Sequence, residues 1–219
     1  MNTTFSFDPV SSASSTPVLL KQGTRLLEPN VYRTDIDGQT AVVKDYRRYR
    51  RTPLALVARW MVRHEARMLK RLDGWKHAPA LVETRDRLAL GMEYVPGETL
   101  TGTDAASQEV FEQLQDALSK LHDAGITHND LHGTNIMVSG GVPVLIDFTS
   151  AWRVPRWLRR NPISRQMRRS DVANFFKMRR RLTGITPSAE EAARTAEPAW
   201  VSNIRGGWKR FYRRLKGEA

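Results

Sequence analysis

The spacing of hydrophobic and polar positions divides the chain into a strand-rich first half and a helix-rich second half. Residues 31–36 and 39–44 read as strands. Asp37-Gly38 between them is a hairpin signal, because a type I′ turn needs positive φ at both central residues. A shorter strand is predicted at residues 24–28. Residues 52–72 carry helical spacing, with Leu56, Val57, Trp60, Met61, His64, Met68, Leu69 and Leu72 on the predicted inner stripe. Thr52 is the predicted N-cap, Pro53 suits the first helical position, and Asp73-Gly74 ends the segment. Two more strands are predicted at residues 80–83 and 87–94, before Pro96-Gly97 breaks the pattern. Residues 104–124 predict an amphipathic helix with Val110, Phe111, Leu114, Ala117, Leu118 and Leu121 inward. Residues 126–148 predict loop, strand, a turn at Gly140-Gly141, and strand. Residues 149–169 read as irregular and basic, 170–182 as helix, and 187–217 as two helical pieces broken near Gly206-Gly207.

This order predicts an α+β chain: a disordered tail at 1–17, a β-rich N-lobe with one long helix at 18–95, and a helical C-lobe at 96–219 that ends in a basic helix. A length of 219 residues with 40% hydrophobic content suits one large domain or two small lobes around a cleft. The formal charge is +12, from 35 Lys and Arg against 23 Asp and Glu, so an anionic partner is expected: nucleic acid, a phosphorylated substrate or an anionic membrane surface. Cysteine is absent, which excludes disulfides and thiolate metal sites. The first 17 residues have no basic and apolar segments of a secretory signal, and no stretch approaches the roughly 18 apolar residues that span a bilayer. A cytoplasmic location is therefore expected, with the basic C-terminal stretch as a candidate peripheral contact on the inner face of the cytoplasmic membrane.

The chemistry concentrates between residues 127 and 148. Asp130 is followed five residues later by Asn135, and twelve residues after that by Asp147, beyond a short apolar hairpin. Phosphoryl transfer is mostly positioning and charge neutralisation. It needs a carboxylate to orient the acceptor hydroxyl and oxygen ligands for Mg²⁺, a hard cation. An Asp, an amide and a second Asp brought together by a hairpin meet both needs.

The run Thr127-His128-Asn129-Asp130-Leu131-His132-Gly133-Thr134-Asn135, with Asp147-Phe148 downstream, resembles the catalytic loop of protein-kinase-like enzymes, H-x-D-x-x-x-x-N followed by D-F-G. The resemblance is to the small branches: lipopolysaccharide core kinases, RIO and Bud32-type kinases, and aminoglycoside phosphotransferases. It implies a bilobal kinase fold and use of ATP with Mg²⁺. It implies that Asp130 is the catalytic base, that Asn135 and Asp147 ligate the metal, and that His128 is structural. Ala41-Val42-Val43-Lys44 looks like the V-A-I-K strand, with Lys44 on the phosphates and Val42 over the adenine; Lys44 otherwise begins a basic surface run with Arg47 and Arg48. Glu65 is similar to the helix Glu that pairs with that Lys, or else is a surface carboxylate among Arg63, Arg67 and Lys70. Glu93, Tyr94 and Val95 look like the hinge whose backbone binds adenine. Asp171 resembles the buried Asp that supports the catalytic loop, or else is a carboxylate at a helix N-terminus.

Three departures from the kinase pattern stand out. No glycine lies between Gly23 and Gly38, so a glycine-rich phosphate loop is missing and Glu28-Pro29-Asn30 occupies its turn. Asn129 and Thr149 replace the Arg of H-R-D and the Gly of D-F-G. No A-P-E follows, so a peptide-binding platform of the usual kind is not expected. The primary expectation is a phosphotransferase acting on a sugar of lipopolysaccharide core or a similar anionic glycolipid. The alternatives are a RIO- or Bud32-like serine/threonine kinase and a non-catalytic nucleotide-binding adaptor, with direct nucleic-acid binding a weaker rival. Trp200, Trp208, Phe211, Tyr212 and Leu215 interleave with Arg205, Lys209, Arg210, Arg213 and Arg214, a pattern that suits a membrane surface, a nucleic acid or plain packing on the C-lobe.

Overall fold

A computed structural model describes residues 16–82, 87–102 and 106–195. The chain enters a five-stranded antiparallel sheet as β1 (Val18–Lys21), followed by β2 (Asn30–Ile36) and β3 (Gln39–Asp45). The β2–β3 hairpin turns where the sequence predicts, with Ile36 opposite Gln39 and positive φ at both Asp37 (51°) and Gly38 (81°). The strand expected at residues 24–28 does not form. The Glu28 carboxylate accepts the amides of Thr24 and Arg25, both at 2.9 Å, and closes the segment into a turn instead.

The long helix α1 (Ala55–Arg71) begins after Leu54, not at the Thr52 cap expected for it. The Thr52 hydroxyl donates to Tyr49 O at 2.9 Å and is spent on the preceding turn. The helix also presents a different face from the one expected over its first turns. Ala55, Ala58, Val62, Glu65, Met68 and Leu69 are buried, whereas Leu56, Val57 and Trp60 are exposed. The exposed stripe is apolar by sequence, yet the small residues Ala55 and Ala58 are the ones that allow close approach to the core.

β4 (Leu81–Val82) and β5 (Ala89–Glu93) complete the sheet in the order β1-β2-β3-β5-β4. β5 is shorter than the strand expected at 87–94, and residues 83–86 after β4 lie outside the described residues. The chain then crosses through Pro96 to β6 (Glu98–Thr99), and helix α2 (Gln108–Asp123) follows with the Ser107 hydroxyl capping Val110 N at 3.2 Å. All six residues predicted to face inward on α2 are buried.

After β7 (Ile126–Thr127), the hairpin β8 (Ile136–Ser139) and β9 (Val142–Leu145) turns at Gly140-Gly141, again with positive φ at both. β10 (Trp152–Arg153) pairs with β7. The helix expected at 170–182 starts eight residues earlier, as α3 (Pro162–Thr183). Asn161 caps it through Ile163 N at 2.9 Å, and Pro162 occupies the first position, a start signal hidden among the arginines of a segment read as irregular. α4 (Ala189–Thr195) is the last described element. The tail at 1–15 and the aromatic-basic stretch from Trp200 onward lie outside the described residues.

One apolar cluster runs through both halves, from Tyr46, Leu69 and Leu90 to Leu114, Leu145, Phe148 and Phe175. Burying side chains of this size contributes roughly 1.5–3 kcal/mol each. Because Phe148 lies in the same cluster as Tyr46 and Leu69, the segment beginning at Asp147 is anchored between sheet and helices. Among the described residues no helix is long and apolar enough to cross a membrane.

Candidate active site

The sheet register places the first component. Lys44 lies opposite Val31 on one side and Leu90 on the other, so it occupies the inner strand at the end from which the β1–β2 turn emerges. Its Nζ donates to Glu65 Oε1 at 2.7 Å and to Asp147 Oδ1 at 2.9 Å. Burial opposes the charge on Lys44, but the carboxylates of Glu65 and Asp147 more than offset this and raise its pKa above the ordinary 10.5. Lys44 thus does not begin a surface run, and Glu65, 1% exposed, is not a surface carboxylate.

Asp147 sits at φ 64°, a left-handed conformation that Asp tolerates better than most residues. Burial works against its charge, yet Lys44 and the Thr149 hydroxyl and amide bring its pKa down to about 2. All of its side-chain bonds fall on Oδ1: Lys44 Nζ, Thr149 Oγ1 at 2.7 Å and Thr149 N at 3.4 Å. Oδ2 has no partner among the described residues. The Phe148 amide donates to Glu65 Oε1 at 3.1 Å and the His64 ring meets Ala151 O at 2.7 Å, so α1 is joined directly to the segment that begins at Asp147.

The loop from His128 to Asn135 is held by α3. Asp171 lies mid-way along α3, fully buried, and accepts the amides of His128 and Asn129, both at 2.8 Å, as well as the His122 ring at 3.0 Å. It therefore supports the loop and is not a helix N-terminal carboxylate. Asn129 adopts φ 63° and donates from Nδ2 to Ser150 O at 3.0 Å, tying the loop to the segment after Asp147. His128 is fully buried, lies 5.1 Å from the Phe148 ring and contacts Ile146 O at 3.2 Å; burial lowers its pKa, in keeping with a structural role. A Cβ at Gly133 would lie 2.1 Å from Leu100 O, so only glycine lets the loop pass against the start of the helical half.

Asn135 Nδ2 donates to Asp130 O at 3.0 Å and Asp130 Oδ2 at 3.1 Å. Among the described residues Asn135 Oδ1 has no hydrogen-bond partner, as Asp147 Oδ2 has none. Two unpaired oxygens of an amide and a carboxylate suit a hard cation. Among the described residues no group of three or more His, Cys, Asp or Glu side chains is placed to hold a metal ion.

At the crossover, Tyr94 N donates to Thr40 O at 3.2 Å and the Glu93 side chain accepts Ala80 N at 3.0 Å, whereas Val95 N has no hydrogen-bond partner among the described residues. Val42 shares the strand face of Lys44 and is partly buried against the core.

Three neighbours were not singled out as site residues from the sequence. His132 stands 3.0 Å from Asn135 Nδ2 and 3.4 Å from Asp130 Oδ2. Tyr46, 2% exposed, lies behind Lys44 with its ionisation pushed up by burial. Thr149 reaches Glu65 Oε2 at 2.9 Å. The sequence signal for Thr149 was its replacement of a glycine; Tyr46 had none beyond being aromatic two residues after Lys44.

The β1–β2 turn, which lacks the glycine pattern, is stiffened from outside. Arg48 donates to the carbonyls of Gly23, of Arg25 at 2.8 Å and of Glu28 at 2.7 Å. Lys21 and the amides of Arg25 and Thr24 lower the pKa of Glu28 to about 2.

A family model described as the RIO domain matches residues 30–192. A bifunctional protein of Methanothermobacter thermautotrophicus, named for tRNA threonylcarbamoyladenosine biosynthesis, is 33% identical over 138 residues, 60% of this chain and 25% of that one. YrzF of Bacillus subtilis, named as a serine/threonine-protein kinase, is 34% identical over 87 residues, 37% of this chain and 40% of that one. The chain therefore spans a quarter to two fifths of these relatives. Among solved structures, the Rio2 kinase of Chaetomium thermophilum matches in its ADP/Mg²⁺-phosphoaspartate complex, with TM-score 0.60 and 17% identity over 84% of this chain and 60% of that one. A second structure of the same kinase matches with TM-score 0.59 and 15% identity over 81% and 62%. These structures share the bilobal kinase fold expected from the sequence.

Proposed function

The chain belongs to the RIO-domain family, and from that premise we propose that it is an ATP-dependent phosphotransferase that moves the γ-phosphoryl group to a hydroxyl of a protein. The observation that carries this reading is the buried Lys44 held between Glu65 and Asp147 at 2.7 and 2.9 Å, beside an Asp130–Asn135 pair at 3.1 Å. In this reading the nucleotide lies between an N-lobe at 18–95 and a C-lobe at 96–219. Val42 covers the adenine, and the backbone of Glu93, Tyr94 and Val95 meets its edge, with Val95 N as the available donor. Lys44 engages the α- and β-phosphates. Asn135 and Asp147 hold Mg²⁺, which when bound neutralises charge developing on the transferred group. Asp130, whose side chain is half-exposed, orients the acceptor hydroxyl and accepts its proton.

The family and its relatives favour a RIO- or Bud32-like protein kinase over the lipopolysaccharide-core acceptor that the charge first suggested. The acceptor is nonetheless read as anionic. Residues 148–183 contain eleven Lys and Arg and a single acid, Asp171, which is fully buried. Exposed Trp152 and Trp157 lie in the same stretch. A cytoplasmic location fits this reading.

The test is Mg²⁺-dependent ATP turnover by the purified chain and by Asp130→Ala and Asp147→Ala, offered an acidic protein or lipopolysaccharide core as acceptor. Turnover on the acidic protein that falls by roughly 10²–10⁴ in Asp130→Ala supports the proposal. Equal turnover in Asp130→Ala sinks it. A second reading, a nucleotide-binding adaptor, draws on the β1–β2 turn, where Glu28 already occupies the amides of Thr24 and Arg25. ATP binding by a wild type as inert as its variants would select that reading.

A further inference from the structure

The residue after Asp147-Phe148 is Thr149, and its hydroxyl lies between two carboxylates of different segments, 2.7 Å from Asp147 Oδ1 and 2.9 Å from Glu65 Oε2. The hydroxyl has one proton, so it donates to one of these oxygens at a time, while the Thr149 amide holds Asp147 Oδ1 at 3.4 Å and Lys44 Nζ directs N–H groups at both carboxylates. Among the described residues, Asp147 Oδ2 is the oxygen of these two carboxylates that is left without a hydrogen-bond partner, on a side chain that is 39% exposed. The direction in which Asp147 offers its oxygen is thus set by what grips the other one. A glycine at 149, with no side chain, would remove one of these grips and also loosen the backbone, which already carries positive φ at Asp147.

We infer that Thr149 is a positioning residue that turns Asp147 Oδ2 toward the metal and couples that orientation to Glu65 on α1. The inference rests on the phosphotransferase reading of the same site. The task needs the hydroxyl, not the methyl group. Partners of metal ligands commonly set metal affinity by roughly ten- to hundredfold through orientation alone.

The experiment compares wild type with Thr149→Ser, Thr149→Val and Thr149→Gly. The first readout is ADP binding titrated with Mg²⁺, beside ADP binding in the absence of Mg²⁺. Thr149→Val and Thr149→Gly raise the Mg²⁺ concentration at half-saturation by roughly tenfold or more, leave Mg²⁺-free ADP affinity unchanged, and Thr149→Ser restores the wild-type value. The second readout needs no ligand: in the metal-free protein, the Phe148 amide exchanges hydrogen faster in Thr149→Val than in wild type or Thr149→Ser. Unchanged Mg²⁺ dependence in Thr149→Val, or a Thr149→Ser as impaired as Thr149→Val, overturns the inference alone. A wild type whose ADP binding does not respond to Mg²⁺ overturns the phosphotransferase reading and this inference together.

Discussion

Asp171 Oδ2 accepts the backbone amide of His128 at 2.8 Å across 43 residues of sequence, and its Oδ1 accepts Asn129 at the same distance. A fully buried carboxylate on α3 thus fixes the backbone two residues before Asp130. Removing it strands two buried amides and the His122 ring. Asp171→Ala is expected to cost about 3–5 kcal/mol of stability, and Asp171→Asn less, because its amide oxygen retains one acceptor. Urea unfolding of the two variants checks this; equal stability to wild type refutes the supporting role.

Glu65 receives Lys44 Nζ, the Phe148 amide and the Thr149 hydroxyl. Glu65→Gln keeps the size and loses the charge, so Lys44 is drawn toward Asp147 alone. Phosphate binding by Lys44 is expected to weaken, with kcat/KM for ATP down roughly 10²-fold and folding retained by circular dichroism. Unaltered kinetics would mean the pair is structural only.

Arg48 grips three carbonyls of the β1–β2 turn, those of Gly23, Arg25 and Glu28. Arg48→Ala is expected to speed amide exchange across residues 23–28 and to weaken ATP binding by several-fold, because each charge-assisted bond is worth about 1.5–3 kcal/mol before relaxation. Arg48→Lys, with no planar fork, recovers only part of the effect. Exchange rates equal to wild type in Arg48→Ala would show that Glu28 alone holds the turn.

The pH dependence of stability follows from depressed carboxylates: Asp147, Glu28 and, held down by the Ser188 amide and Arg179, Glu191. Asp147 falls from an ordinary 3.8 to about 2, and Glu28 from 4.5 to about 2. A folded-state pKa below the unfolded one contributes stability that is complete above the unfolded value and is lost as pH falls through the folded value. The melting temperature is therefore expected to decline as pH drops from about 4.5 toward 2. Asp147→Asn and Glu28→Gln each flatten part of that decline. A slope unaffected by either variant would show that other groups carry it.

The local signals legible in the chain are those that act over a few residues. Asp37-Gly38 and Gly140-Gly141 adopt the positive φ that their turns require. The inward face of α2 is read correctly because six apolar residues share one stripe, with no competing stripe on the helix. Asp130, Asn135 and Asp147 are recognisable because their spacing along a loop and hairpin carries the chemistry with it.

What the chain alone could not decide depends on what lies opposite. On α1 two stripes compete, and the more apolar one at Leu56, Val57 and Trp60 remains exposed. The sheet and the Phe148 segment select the face with Ala58, Val62 and Glu65, where small residues admit close packing and Glu65 meets Lys44. The start of α3 is masked by its arginines, and Thr24 to Glu28 folds into a turn because a carboxylate satisfies its amides. The sequence by itself determined the division into a strand-rich half and a helix-rich half, the two glycine-marked hairpins and the inward face of α2, since these are written in local spacing. Only the tertiary structure decided which groups share a proton or a charge, because Lys44, Glu65, Asp147 and Thr149 are brought together by packing between segments up to 103 residues apart.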